Sequence, residues 1–570
     1  MASLVPLKVP FFDDNANFLV SGKLYTYQAG TTTPLATYTD YTGNTANANP
    51  IILNGRGECN LWVTAGSAYK FVLKTSADAI IWTQDNVTTG DVDDMIFLQA
   101  GTGAVQRSAQ SKMRESYSLF DFMTAAQIAD VQGNTALVDV TAAIQAALDA
   151  AHTYKVGLVI APQGTYLTGT INWPGNNIAL RGNGSAYSYN SSATPRTVFK
   201  AKAGTSIVFD LVQTGLAEDR TGNHICDLEI DGASIAAVGI DMSGANIVER
   251  VRVQRCSNGG IRLSNFTNSS RIINCGLNQN SGYGLQVEGA STTTYSVEGS
   301  FLSLNTLGGA NIEAGVRVKF SNSVFESNDG PGLRMYKPNS HTNAFMGFEF
   351  DSCWFEDNAS DSPNFTLSIG AGTSDPAYGV AYTTFKNCHV SVANNANKLM
   401  SITVGKWITF KDCTLSNSTA SDAITLASNA QYVAFIESCE SGILTGVSAT
   451  QVDNAIAQGA FCYSSDKSIK RAVSSFSNSW ENYGDPFCAA KYWFDDQGRV
   501  HLQGSIKLGA IGSAAFTLPV GYRPLKQKAF AVDSNGAHGL LYVGTDGTVT
   551  PYVGSNTIFN LDGCFFAVQD

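Results

Sequence analysis

Two glutamates, Glu326 and Glu356, stand thirty residues apart at equivalent points of a recurring phrase. The phrase is a polar residue, a small one, a variable one and an apolar one. It reads Asn322-Ser323-Val324-Phe325 before the first glutamate and Ser352-Cys353-Trp354-Phe355 before the second. Two carboxyl groups in one place divide into an acid and a base, because the charge of one raises the pKa of the other. About 5 Å apart, such a pair suits a glycosidase that retains configuration; about 6.5 to 9.5 Å suits one that inverts it. The competing reading is a pair of solvated glutamates that keep a surface strand wet. Asp329 follows Glu326 on the same stretch and completes the candidate catalytic group.

What would bring residues thirty apart together is a repeat. The small-residue position recurs at 251, 275, 300, 323, 353, 388, 413 and 439, at intervals of 24, 25, 23, 30, 35, 25 and 26. A period near 25 with strand-like phrases predicts stacked coils of a solenoid. Equivalent positions of successive coils then line up in columns. Leu277, Leu302, Phe325, Phe355, Val390 and Leu415 form one inward column. Side chains alternate along a strand, so the flanking positions face outward. One outward column is Gly276, Phe301, Val324, Trp354, His389 and Thr414. The other is Asn278, Ser303, Glu326, Glu356, Ser391 and Ser416. Parallel neighbours lie about 4.8 Å apart, which sets Glu326 beside Glu356.

The columns also nominate binding residues. Trp354 shares a face with Glu356, and His389 lies beside Trp354 on the next coil. An exposed indole next to acids offers a sugar ring a flat apolar face with a polar edge; a subunit interface would use the same residue differently. Arg334 matches a carboxylate bidentately. With Tyr336, Lys337 and His341 it suggests a competing lyase chemistry: a cation neutralises a uronic carboxylate while a nearby base removes the adjacent proton. Asn280, Asn305, Asn328 and Asn358 form a column that reads as structural, satisfying backbone groups at a bend. Asp227, Glu229, Asp231, Glu249 and Arg250 make a second-choice charged region. Asp351, Asp357 and Asp361 crowd one stretch but read as solvated loop acids, so neither a metal nor a cofactor is expected.

Bulk composition bounds the rest. Of 570 residues only 15% are charged, 44% are hydrophobic and 54 are glycine, which suits a β-rich, turn-rich chain. A net charge of −11 argues against nucleic-acid binding. No run of about 18 apolar residues exists, so no membrane span is expected. Met1 to Phe12 reaches Asp13-Asp14 too early for a signal peptide. Most of the 11 cysteines sit in strand phrases, with no CxxC spacing, and they read as buried hydrophobes of a chain made in a reducing cytosol.

Alternation and turns over residues 1–95 predict a small all-β domain. A polar connector spans 96–118. The segment 119–454 begins with a helix over 139–151, whose apolar Ile144, Leu148 and Ala151 form one stripe and whose start Asp139 or Thr141 caps. Such a helix covers the open first coil of a solenoid. Coils begin at Gly157 and run to about 450. Residues 455–570 lose the period and read as an antiparallel β domain.

Three segments carry a resemblance. Lys23-Leu-Tyr-Thr-Tyr-Gln-Ala-Gly-Thr-Thr-Thr-Pro34 and Asn54-Gly-Arg-Gly-Glu-Cys-Asn-Leu-Trp62 resemble virion-attachment domains of bacteriophage tailspikes and tail fibres. Val105-Gln-Arg107, Lys112-Met-Arg-Glu115, Asp121-Phe122 and Thr141-Ala-Ala-Ile-Gln-Ala-Ala147, followed by Ala161-Pro-Gln-Gly-Thr-Tyr166, are similar to the neck, cap and first coil of their pectate-lyase-like β-helices. Leu518-Pro-Val-Gly-Tyr-Arg-Pro524 is similar to their terminal domains. The family's Asp-Phe-Gly is Asp121-Phe122-Met123 here, with an insertion up to Asp139. The resemblance implies an all-β chain whose right-handed single-stranded parallel β-helix is flanked by small antiparallel domains. It implies a homotrimer in the phage virion, joined through its N-terminal domain to a tail, baseplate or adapter protein. It also implies binding, and usually depolymerisation, of a bacterial surface polysaccharide. Endo-acting hydrolysis by Glu326 and Glu356 is the first expectation; a lyase, or a fibre that only adheres, are the alternatives. The resemblance transfers no catalytic motif.

Overall fold

Each repeat of the phrase turns a corner. Its polar residue takes left-handed backbone: Asn274, Asn322, Ser352, Asn387 and Asp412 have φ between 49° and 57°, and Gly299 has 56°. Short polar side chains and glycine tolerate this region best, which is why the polar position recurs. The small residue that follows packs inside the bend; Cys275, Ser300, Ser323, Cys353, Cys388 and Cys413 are buried. A second corner closes the short strand at Gln279, Leu304, Ser327 and Asp357, again with positive φ. Two corners and two turns per coil wind the chain into three strands. One such coil is Gly315–Ser321, Val324–Glu326 and Leu333–Lys337.

The computed structural model describes residues 2–4, 10–64, 66–88, 95–185, 196–212, 220–359, 365–372, 379–392, 398–416, 424–437, 460–464, 470–495 and 498–568. The chain divides into two compact units, Met1–Glu115 and Ser116–Asp570. In the first, Ile51–Ile52, Lys23–Gln28, Ala68–Lys74 and Ile80–Thr88 form a four-stranded antiparallel sheet in that order. Leu24, Val63, Tyr69 and Leu73 make its core. The short helix α1 (Ala109–Met113) buries no residue, and Ser108 caps it.

In the second unit the strands pair in parallel from Tyr117–Ser118 to Ala460–Ser464. Both ends differ from expectation. Tyr117–Ser118 already pairs with Leu158–Ile160, and residues 460–464 continue the ladder on 433–437, past the expected limit near 450. Cys439 lies outside the described residues. The 121–139 insertion holds a second helix, α2 (Ala125–Gly133), opened by a capping box between Thr124 and Gln127. Helix α3 runs Thr141–Thr153, and Asp139 Oδ1 accepts the Thr141 N–H at 2.9 Å. Its Ile144, Ala147, Leu148 and Ala151 join the core of the first coils, covering their open end.

Inside the coils, like side chains stack at the strand spacing. Phe320, Phe350, Phe385, Phe410 and Phe435 form a continuous column with centroids 4.6 to 5.0 Å apart. Nine cysteines are free; seven of them are buried, Cys59 is half-buried and Cys488 is exposed, and burial pushes the Cys275 thiol up to about 12, as befits an inert core group. Residues 470–568 fold into antiparallel sheets, the largest ordered Phe516–Thr517, Thr548–Val553, Ala537–Val543, Lys528–Ser534. The core of these sheets is continuous with that of the coils.

Candidate active site

The register places the acids together. Val324, Phe325 and Glu326 pair in parallel with Trp354, Phe355 and Glu356. Phe325 and Phe355 are buried and stack at 4.6 Å, so the alternating positions on either side turn away from the core. Glu326 and Glu356 are half-buried. Burial, then the charge of Glu356, then that of Asp357, holds the Glu326 carboxyl above the ordinary carboxylate range. An acid beside a carboxylate is the asymmetry general acid–base chemistry needs.

Asn328 and Asn358, two residues beyond each glutamate, belong to a buried ladder. Asn280, Asn305 and Asn328 each donate from Nδ2 to the next asparagine's Oδ1, at 3.0, 3.0 and 2.7 Å. The same oxygens accept the backbone N–H of the preceding asparagine. Fixed corners on both coils therefore hold the two short strands in step.

Trp354 is 43% exposed. Its Nε1 donates to Glu356 Oε2 at 2.7 Å, and its ring stacks on the His389 imidazole at 3.9 Å. Burial holds the His389 pKa below its ordinary value, against the opposing pull of Glu356. The wall beside the acids is thus a flat indole–imidazole surface whose one indole donor already orients a carboxylate.

The outward glutamate column is not a solvent face along its length. Asn278, Ser303 and Ser391 in it are buried, contrary to the alternation rule, while the two glutamates are half-exposed. A bulge between Phe355 and Asn358 also interrupts the ladder to the next coil. Asp329 is exposed in the turn after Asn328; the third carboxylate whose charge acts on Glu326 is Asp357. Asp361 lies outside the described residues. Among the described residues no three His, Cys, Asp or Glu side chains converge as a metal site.

Arg334 and Tyr336 project from the third strand of the coil and belong to another cluster. The Arg334 guanidinium sits 4.3 Å over the Tyr336 ring. It donates to Asn311 Oδ1 at 2.6 Å and lies 3.6 Å from Glu313. His341 Nδ1 lies 3.0 Å from the Glu313 carbonyl. Glu288, one coil before Glu313, has its carboxyl raised by burial against the pull of Arg262, with Glu313 adding to the rise. Sequence reading missed this second acid pair, although its spacing of 25 equals the repeat.

Residues 236–439 match the family model described as a right handed beta helix region, in keeping with the winding expected. No curated protein matches the sequence. Among solved structures the chain is similar to ORF18 of Geobacillus virus E2, at 16% identity and a TM-score of 0.40, covering 80% of this chain and 92% of that one. It is similar to tailspike gp49 of Acinetobacter baumannii bacteriophage Fri1, a capsular polysaccharide depolymerase, at 12% identity and TM-score 0.38, covering 87% and 86%. It is also similar to the catalytic unit of an α-1,3-glucanase of Streptomyces thermodiastaticus, at 15% and 0.36, covering 72% and 85%.

Proposed function

We propose that this protein is a phage tailspike that binds a bacterial capsule or O-antigen glycan and cleaves it internally by hydrolysis. Glu326 acts as the acid and Glu356 as the partner carboxylate; Trp354 and His389 hold a sugar ring. The observation that carries the reading is the in-register pair of half-buried glutamates, one with a raised pKa, beside an exposed, stacked indole. Hydrolysis is favoured over elimination because Arg334, the cation a lyase would use on a uronate, is already engaged by Asn311 and Glu313. The resemblance of residues 23–62 to virion-attachment domains supports a place in the virion, a tail, baseplate or adapter partner, and a homotrimer.

Incubation with glycans of candidate hosts tests this. New reducing ends without the ultraviolet absorbance of an unsaturated uronide support hydrolysis. Both signals together support a lyase acting through Arg334 and Tyr336. Binding with neither signal supports an adhesion fibre. Glu356→Gln is expected to keep binding and lose most activity; full activity in that variant discards the site.

A further inference from the structure

The outward column that carries Glu326 and Glu356 begins at a cavity. It descends from Glu326 through Ser303, Asn278, Gln254 and Asp231 to Lys200. There the segment 134–136 after α2 stands against the outer face of the first coils and borders an open cavity of about 530 Å³. The cavity wall holds three cations, Arg196, Lys200 and Arg255, and two acids, Glu229 and Asp231. In a chain of net charge −11 this local excess of positive charge is unusual.

The charges are not used up among themselves. Arg255 grips Asp231 through both Nε, at 2.7 Å, and NH2, so that pair is closed. Glu229 is 1% exposed. Its Oε1 accepts from Gln254 Nε2 at 2.7 Å. Its Oε2 lies 3.1 Å from Arg196 NH1, but no donor is aimed at it. Arg252, opposite Glu229 on the next coil, 4% exposed and outside the cavity wall, leaves its Nε without a partner. Lys200 has no ion-pair partner among the described residues. Buried polar atoms left open beside a cavity are costly unless something binds there. Burial also raises the Glu229 carboxyl, against the pull of Arg196 and Arg252.

We propose that this cavity binds the carboxylate of an acidic sugar unit, with Lys200 as its main cationic contact and Arg196, shared with Glu229, as the second. Arg matches the planar carboxylate through two donors, and Lys supplies a point charge. Glu229 and Gln254 supply the polar edge for hydroxyls. The anionic half of the inference rests on the cavity. The sugar half rests on the function proposed above: one column joins Asp231 in the cavity wall to Glu326 four coils on and Glu356 five coils on, about 24 Å to the farther one at the strand spacing. A glycan lying along the axis reaches both.

Titration of the full-length protein with sodium glucuronate, against glucose and sodium sulfate, tests it. Glucuronate is expected to bind saturably, glucose not to bind, and sulfate not to displace glucuronate at equal concentration. Lys200→Ala removes a cation that holds no ion pair, so the fold is kept; it is expected to weaken binding about tenfold, and Lys200→Arg to restore it. Absence of saturable binding, equal binding of glucose, displacement by sulfate, or wild-type affinity in Lys200→Ala overturns the proposal. Glu356→Gln is expected to leave glucuronate affinity unchanged. Glucuronate binding without cleavage of any glycan sinks the hydrolase reading alone. Cleavage without glucuronate binding sinks this one alone.

Discussion

The indole of Trp354 is hydrogen-bonded to the carboxylate of Glu356, Nε1 to Oε2, at 2.7 Å. A residue nominated as a sugar platform is therefore also a positioning residue for an acid. The two roles separate by substitution. Trp354→Phe keeps an aromatic face and removes the donor; kcat is expected to fall about tenfold to a hundredfold, the cost of a hydrogen bond to a charged group, with little change in KM. Trp354→Ala removes the face as well, and KM rises. Steady-state kinetics on the host glycan reads both.

Burial and two neighbouring charges set the pH range of Glu326. The charges of Glu356 and Asp357 raise its pKa, after burial. An acid must be protonated to act, so kcat/KM falls as pH rises through the Glu326 pKa. Asp357→Asn removes one raising charge, so this limb is expected to move to lower pH while the maximal rate changes little. A pH–rate profile of wild type and variant checks the direction; an unmoved limb assigns the limb to another group.

Asn328 holds the corner between the two glutamates. Asn328→Ala deletes the acceptor of Asn305 Nδ2 and of the Asn305 backbone N–H. It also deletes the donor to Leu302 O and to Asn358 Oδ1. Each buried group left open costs about 1–3 kcal/mol. Amide hydrogen exchange at Asn305, whose N–H loses its acceptor, is expected to lose protection first, ahead of global unfolding.

Glu229 makes stability depend on pH. Burial raises its pKa above the ordinary 4.5, so the folded chain keeps a proton that the unfolded chain releases. Stability then falls as pH climbs from about the unfolded value through the raised one. Glu229→Gln is expected to flatten this slope, and thermal midpoints measured across that window read it.

Much of the fold was legible because parallel coils repeat a backbone path. A corner that needs positive φ selects Asn, Asp, Ser or Gly at the same place in every turn, so Asn274, Asn322 and Asn387 announce the period. The α2 helix went unread, although Thr124-x-x-Gln127 is a capping box, because its apolar stripe is short. The parallel ladder's last described strand, residues 460–464, was missed because the repeat is not found again after position 439.

The sequence by itself determined the winding and its register, hence that Glu326 meets Glu356 and Trp354 meets His389. A strand repeated in step must set equivalent residues side by side, whatever their side chains do. Tertiary structure alone decided which positions of a column reach solvent: Asn278 and Ser303 are covered, Glu326 and Glu356 are not. It also decided that Arg334 spends its charge on Glu313 and that residues 134–136 border a cavity lined by Glu229. Those outcomes depend on how distant segments lie against the shaft and where long side chains find partners, and a period carries no information about either.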